Sequence, residues 1–369
     1  MSNGTANLLG MPRESLEQWF ADRQQKPFRA RQVMQWLHQR QELDIEQMTD
    51  LSKSLRAQLA TDTAIALPRV INRFDSADGT VKWLLSAKSG QAIETVFIPE
   101  ADRGTLCISS QVGCALDCAF CATAKQGFNS NLTSAEIIAQ VWMAMRDLPR
   151  RDNGDTAVTN VVFMGMGEPL ANYREVVPAL QLLIDDLAYG LSRRRVTLST
   201  SGLVPQIDKL AHDCNVSLAV SLHAPNDTLR DQLVPINRVH PIDQLLDACW
   251  RYVDAFGNRH ITFEYVMLRG VNDQLQHADQ LVELLRGQPA KVNLIPFNPF
   301  PGVAFERSSA GQIARFRDRL RDRGLVTTVR RTRGDDIDAA CGQLAGKVED
   351  RVKRSLGMRV REARAAQSD

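Results

Sequence analysis

The stretch "TLCISSQVGCALDCAFC", residues 105–121, passes from a β-rich run into a loop holding three cysteines in eight positions. It opens a change of pattern. From residue 104 onward short β-rich runs alternate with amphipathic helical ones. The runs are "TLCISSQ" (105–111), "NVVFMG" (160–165), "RVTLST" (195–200), "VSLAVSLH" (216–223), "ITFEYVML" (261–268) and "VNLIPF" (292–297). Between them lie helical stretches such as "SAEIIAQVWMAMRDL", "YREVVPALQLLIDDLA", "IDQLLDACWRYVDAF" and "QHADQLVELLRG". The first carries a capping box, Thr133 with Glu136 three residues on. Repeated β–α units imply a parallel sheet with right-handed crossovers. A full barrel has eight such units. Six, with "LVTTVRR" as an extra strand, predict an α/β fold: a partial (β/α)6 TIM-like barrel with an open side.

Upstream, "RARQVMQWLHQ" puts Ala30, Val33, Met34 and Leu37 on one helical face, and "LSKSLRAQLA" repeats the pattern. "TVKWLLSA" and "AIETVFIPE" read as strands joined by a turn at Ser89–Gly90. The expected organisation is a small helical N-terminal domain (1–75), a β extension (76–103), the barrel (104–345) and a basic tail (346–369). Hydrophobic content of 44% with 24% charged residues describes a well-cored chain. No apolar run reaches membrane-spanning length and no secretion signal is read at the N-terminus, so a cytoplasmic protein is expected.

The chain has seven cysteines, an odd number, which in a reducing compartment favours metal or redox chemistry over a disulfide framework. Cys114, Cys118 and Cys121 form C-x3-C-x2-C. Structural zinc wants four closed ligands. Three thiolates on a four-iron cube leave one iron open to an outside amine and carboxylate. Net charge is only +2, but residues 313–333 hold eight arginines against two aspartates. That segment reads either as a solvated helix face with ion pairs or as a phosphate-contacting rim.

The cysteine spacing, the aromatic Phe120 before the last cysteine, and the loop's place after the first barrel strand resemble the radical S-adenosylmethionine (SAM) superfamily. "FMGMGEPL" (163–170) resembles its Gly-Glu-Pro loop, with Glu168 facing the SAM ammonium; "LSTSG" (198–202), "SLHAP" (221–225) and "LIPFNPFPG" (294–302) end further strands at the same face. Together with "IETVFIPE" and "AACGQL" these motifs resemble, over nearly the whole chain, the RlmN-type adenine-C2 methyltransferases of 23S ribosomal RNA.

That resemblance implies a [4Fe-4S] cluster on the three cysteines and two molecules of SAM per turnover. SAM contacts are expected at Glu168, Pro169, Ser199, Ser221, Leu222, His223 and Asn298. Adenine C2 is electron-poor, whereas a thiolate is a strong nucleophile. By motif match, Cys341 carries the methyl group, Cys107 resolves the protein–RNA adduct through a disulfide, and Glu94 takes the C2 proton. Transfer RNA is a further expected substrate, with an external one-electron donor such as flavodoxin and a monomeric enzyme. The helical module and the arginines of 313–333 are candidate RNA contacts. Cys214 and Cys249 are read as packing. Three rivals remain: a C8-adenine methyltransferase of the Cfr type, whose second-strand loop reads Gly-Glu-Ala rather than Gly167-Glu168-Pro169; a non-catalytic iron–sulfur electron carrier; and a zinc-stabilised RNA-binding module.

Overall fold

A computed structural model describes residues 6–257, 260–339 and 342–344. One ten-stranded sheet organises them, and its spatial order follows the chain. The strands are β1 (Val70–Asp75), β2 (Val81–Ser86), β3 (Ala92–Pro99), β4 (Gly104–Cys107), β5 (Asn160–Phe163), β6 (Val196–Thr200), β7 (Ser217–Ser221), β8 (Ile261–Met267), β9 (Ala290–Pro296) and β10 (Val326–Val329). β1 to β4 pair antiparallel as a meander, and β4 to β10 pair parallel. β1 and β10 are the two edges and do not pair with each other. The parallel part is the expected open barrel with its extra strand.

Six crossover helices connect the parallel strands: α4 (Ser134–Asp147), α5 (Tyr173–Ile184), α6 (Val204–Asp213), α7 (Ile242–Phe256), α8 (Leu275–Leu285) and α9 (Ala310–Asp322). α4 starts as its sequence dictates. Thr133 Oγ1 accepts the Glu136 N–H while the Glu136 carboxylate accepts the Thr133 N–H, which satisfies two otherwise orphaned donors. No described helix is long and apolar enough to cross a membrane.

Three helices precede the sheet: α1 (Arg13–Ala21), α2 (Phe28–Met34) and α3 (Lys53–Asp62). Ala30, Val33, Met34 and Leu37 are all buried, as their spacing requires. A π-helical turn, Gln35–Gln39, continues α2. The module shares one hydrophobic core with the barrel. Trp142 Nε1 of α4 donates to the Leu37 carbonyl at 2.8 Å, and Arg13 Nε donates to Asp185 at 2.9 Å.

Two boundaries differ from the sequence reading. Residues 70–75, assigned to the helical module, are strand β1; this mostly exposed edge strand buries no alternating face that sequence could reveal. "TLCISSQ" is strand only to Cys107. Beyond it, Ser109 leaves the ladder, its N–H donating to Gln140 Oε1 at 2.8 Å and its carbonyl accepting Gln140 Nε2 at 2.8 Å. Gln111–Gly113 then pairs with Phe128–Asn131, and this small ribbon frames the cysteine loop.

Candidate active site

The C-terminal ends of β5 to β9 surround an open-mouthed cavity with about 990 Å3 of empty space. Cys114, Cys118 and Cys121 line it together with Glu168, Pro169, Ser199, Ser221, His223 and Asn298. Residues up to 184 positions apart in the chain therefore converge on one space, as strand-end residues of such barrels do.

The cysteine loop is pinned at both ends. The Cys114 N–H donates to the Gly127 carbonyl at 2.7 Å, and the Cys121 N–H to the Cys118 carbonyl at 3.2 Å. Burial, with the neighbouring thiols adding to it, pushes Cys114 well above the usual thiol range and Cys118 up to about 12. Such thiols become thiolates only beside a strong positive charge. Among the described residues, no three His, Cys, Asp or Glu side chains converge in the manner one ion requires. A cube puts each thiolate on a different iron and needs soft donors spread around a cavity, so this donor set fits it better than zinc.

Glu168 is buried and both of its oxygens are anchored: the Leu170 N–H donates to Oε1 at 3.0 Å and the Ser201 N–H to Oε2 at 2.8 Å. Burial pushes this carboxyl up, and those N–H groups pull it back. The loop before it demands glycine. Gly167 has φ +99°, and a Cβ there would lie 2.5 Å from the Gln111 Cβ. That close approach lets the Glu168 N–H donate to Gln111 Oε1 at 2.8 Å.

His223 takes a left-handed φ of 59°. Its Nδ1 accepts the Val266 N–H at 3.0 Å, so Nε2 carries the proton. Burial, with Arg230 nearby, lowers it to about 3, and the ring is neutral near pH 7. The Phe120 ring packs edge-on against it at 4.6 Å, linking the cysteine loop to the end of β7. Asn298 is oriented through Oδ1, which accepts from Arg307 Nη2 and, at 3.4 Å, from Thr332 Oγ1.

Not every expected residue lies here. The Leu222 side chain is fully buried in the core and does not line the cavity, and its backbone is engaged within the protein, the N–H donating to the Glu264 carbonyl at 3.1 Å and the carbonyl accepting from Arg230 Nε at 3.1 Å. Cys107 and Glu94 are buried on β4 and β3 and are not among the residues that line the cavity. Cys341 lies outside the described residues. Its neighbour Gly342 lines the cavity and accepts the Ala122 N–H, one residue after Cys121, at 2.9 Å. Cys214 and Cys249 are buried in packing positions, and burial pushes their thiols up to about 11 and about 12.

Most arginines of 313–333 have protein partners. Arg319 grips Asp279 with two bonds at 2.7 and 2.9 Å, Arg317 pairs with Asp318, Arg321 donates to the Thr327 carbonyl, and Arg333 pairs with Asp78. That is the solvated, ion-paired face. Arg330 turns inward and lines the cavity.

Three site residues escaped the sequence. Arg230 is fully buried and donates to the carbonyls of Ser201, Ser221 and Leu222 and to Asn237 Oδ1, strapping two strand-end loops together. Nothing in "DTLRDQL" distinguishes it from a surface arginine. Glu264 lines the cavity, with Asn293 Nδ2 donating to it at 3.0 Å; burial pushes it up while Arg330 pulls it down. Its charge inside the apolar run "ITFEYVML" was a legible signal. Arg330 falls in the segment that the sequence reads either as a solvated, ion-paired face or as a phosphate-contacting rim, and neither reading places it in the cavity.

Residues 6–65 match the ribosomal RNA large subunit methyltransferase N-terminal domain, and residues 108–282 match the radical SAM superfamily. The dual-specificity RNA methyltransferase RlmN of Alkalilimnicola ehrlichii is 57% identical over 97% of this chain and 99% of its own length. The protein of that name from Alcanivorax borkumensis is 56% identical over 95% of this chain and 92% of its own.

The chain belongs to the RlmN family.

A radical SAM methyltransferase from Sphaerobacter thermophilus, known from its crystal structure, has 47% identity and a TM-score of 0.85, covering 92% of this chain and 99% of that one. The RlmN family assignment accounts for both parts of the architecture: the helical module as its N-terminal domain and the open barrel as the radical SAM fold.

Proposed function

We propose that this chain methylates C2 of an adenine in 23S ribosomal RNA, and an adenine beside the anticodon of some transfer RNAs, through a methyl group carried on Cys341. It is a radical SAM RNA methyltransferase by family. The cavity observation that carries the reading is the convergence of three soft thiols with Glu168 and with Gly342, the residue that follows Cys341. Cys114, Cys118 and Cys121 hold the [4Fe-4S] cluster. Glu168, Pro169, Ser199, Ser221, His223 and Asn298 hold SAM. When bound, the cluster and SAM supply a 5′-deoxyadenosyl radical.

The protein's own groups do the rest. Cys341 takes a methyl group as thiolate and presents it to C2 of the adenine. Glu94 accepts the proton that C2 loses. Cys107, as thiolate, attacks the Cys341 sulfur; the S–S bond forms as the sulfur–carbon bond breaks, and the electron pair leaves with the product carbon, which takes up a proton to complete the methyl group. The apolar rim of buried Phe163, Val266 and Phe297 and half-buried Met164 would keep water from the radical. Exposed Phe28, with the Arg29 guanidinium 4.6 Å over its ring, gives the helical module a stacking and phosphate-contacting surface for RNA, and exposed Arg331 adds to it. A one-electron donor such as a flavodoxin, a monomeric state and a cytoplasmic location complete the proposal.

Anaerobic incubation with SAM, reductant and ribosomal RNA, followed by nucleoside mass spectrometry, tests it. Cys341→Ala is expected to give no methylated adenine, Cys107→Ala a covalent protein–RNA adduct, and the wild type 2-methyladenosine rather than the 8-methyl isomer. A fully active Cys341→Ala protein refutes the carrier.

A further inference from the structure

Beyond the strand that carries Cys107, the sheet holds a buried cation that the chemistry above leaves unused. Lys82 on β2 stands directly opposite Val96 on β3, and Val96 stands directly opposite Cys107 on β4. Directly opposed residues of antiparallel strands share a face. Lys82, Val96 and Cys107 therefore form one row across three strands, and Glu94, two residues before Val96, is on the same face. The side chains of Lys82 and Glu94 are only 7% and 11% exposed, with Nζ 3.5 Å from Glu94 Oε1. The same ammonium donates to the Asp338 carbonyl at 3.2 Å. The ring of Phe74, opposite Lys82 on β1, lies 5.1 Å from Nζ.

Asp338 is three residues before Cys341. The loop that contains it is gripped further by the β1–β2 turn. Ser76 Oγ donates to Asp336 at 2.6 Å, the Ala77 N–H to the same carboxylate at 3.2 Å, and the Gly334 N–H to Asp78 at 3.1 Å. Arg333 adds an ion pair to Asp78 at 3.7 Å. Gly334 is required for the approach, because a Cβ there would lie 2.9 Å from Thr80 Cγ2. The turn thus spans the open side of the barrel and joins the meander to the loop after β10. Past Cys341, Thr123 Oγ1 donates to the Leu344 carbonyl at 2.6 Å, so the chain is held by the cysteine loop on the other flank.

We propose that Lys82 is a positioning residue for the methyl-transfer reaction. One buried ammonium holds both the Glu94 carboxylate and the backbone that runs into Cys341, on the strand face that carries Cys107. The outer clasp of Ser76, Asp78 and Asp336 fixes the loop to the turn, whereas Lys82 ties the loop to Glu94. A buried ammonium must find acceptors, and the Glu94 carboxylate and the Asp338 carbonyl supply two. The inference rests on the roles given above to Glu94 and Cys341.

The test uses the reconstituted holoenzyme with a ribosomal RNA fragment. It compares wild type, Lys82→Met, Lys82→Arg and Asp336→Asn in kcat, in KM for RNA, and in backbone hydrogen exchange over residues 333–339. Lys82→Met is expected to lower kcat about a hundredfold, the effect of a misplacement near 1 Å. KM should change less than about threefold, since uniform RNA binding is untouched. Exchange over 333–339 should speed up. Lys82→Arg should recover most of kcat, and Asp336→Asn should speed exchange while costing much less turnover. If Lys82→Met does not fold, Lys82→Gln, which keeps an N–H donor without the charge, is read in its place for the loss of kcat. A Lys82→Met enzyme with wild-type kcat, or one that changes only KM, or unchanged exchange over 333–339, overturns the proposal. Glu94→Gln and Cys341→Ala run in parallel separate the two layers: if both turn over normally, the chemical roles fail, and the exchange measurement alone then decides whether Lys82 orders the loop.

Discussion

Replacing Arg230 with methionine removes the strap beneath the loops that follow β6 and β7. The guanidinium donates to Ser201 O at 2.7 Å, Asn237 Oδ1 at 2.8 Å, and Leu222 O and Ser221 O at 3.1 Å each. Burial lowers this arginine to about 10, so it remains charged at pH 7. A hydrogen bond from a charged donor contributes about 1.5–3 kcal/mol net, so four give roughly 6–12 kcal/mol. Methionine regains the several kcal/mol that desolvating the guanidinium costs. The balance is a loss of about 4 kcal/mol, in the range for breaking a buried charged network. Urea denaturation of the apo-protein at pH 7 measures it. Lysine keeps the charge but cannot span four acceptors with a compact ammonium, and should lose about half as much. Because the Ser201 N–H also anchors Glu168, Arg230→Met should weaken SAM binding as well, by about tenfold or more, read by calorimetry on the holoenzyme. A loss below about 1 kcal/mol, with SAM affinity unchanged, would refute the assignment of Arg230 as the strap.

Other outcomes follow from single contacts. Gly167→Ala puts a Cβ within 2.5–2.8 Å of Gln111 at a φ of +99°, and is expected to displace Glu168 and abolish SAM binding while leaving the fold intact by circular dichroism. His38 is buried, and burial lowers it to about 3. Since the unfolded chain binds its proton near pH 6.5 and the folded chain does not, stability from His38 is complete above that pH and is lost as pH falls from 6.5 toward 3. Between pH 7 and 5 the loss is about 2 kcal/mol. His223 adds a change of the same sign, so the measurement is the difference in pH slope between wild type and His38→Leu; equal slopes would contradict it.

What was legible in the sequence was local. The C-x3-C-x2-C spacing, the Gly-x-Gly-Glu turn, the capping box at Thr133 and the alternation of β-rich and amphipathic runs each lie within one element and its flanking loop. They fixed the open barrel, the cysteine loop and most of the cavity lining. What only the tertiary structure decided were the buried charges and their partners. Lys82 meets Asp338 across 256 positions, and Arg230 reaches back 29 positions to Ser201. That Cys107 and Glu94 are buried without lining the cavity depends on which strand neighbours which. Strand β1 was hidden because its side chains are largely exposed and only its pairing with β2 makes it a strand. A lysine or arginine in the chain is by default a solvated residue. Whether it is instead driven inward is set by acceptors that distant strands supply, and no local pattern records that.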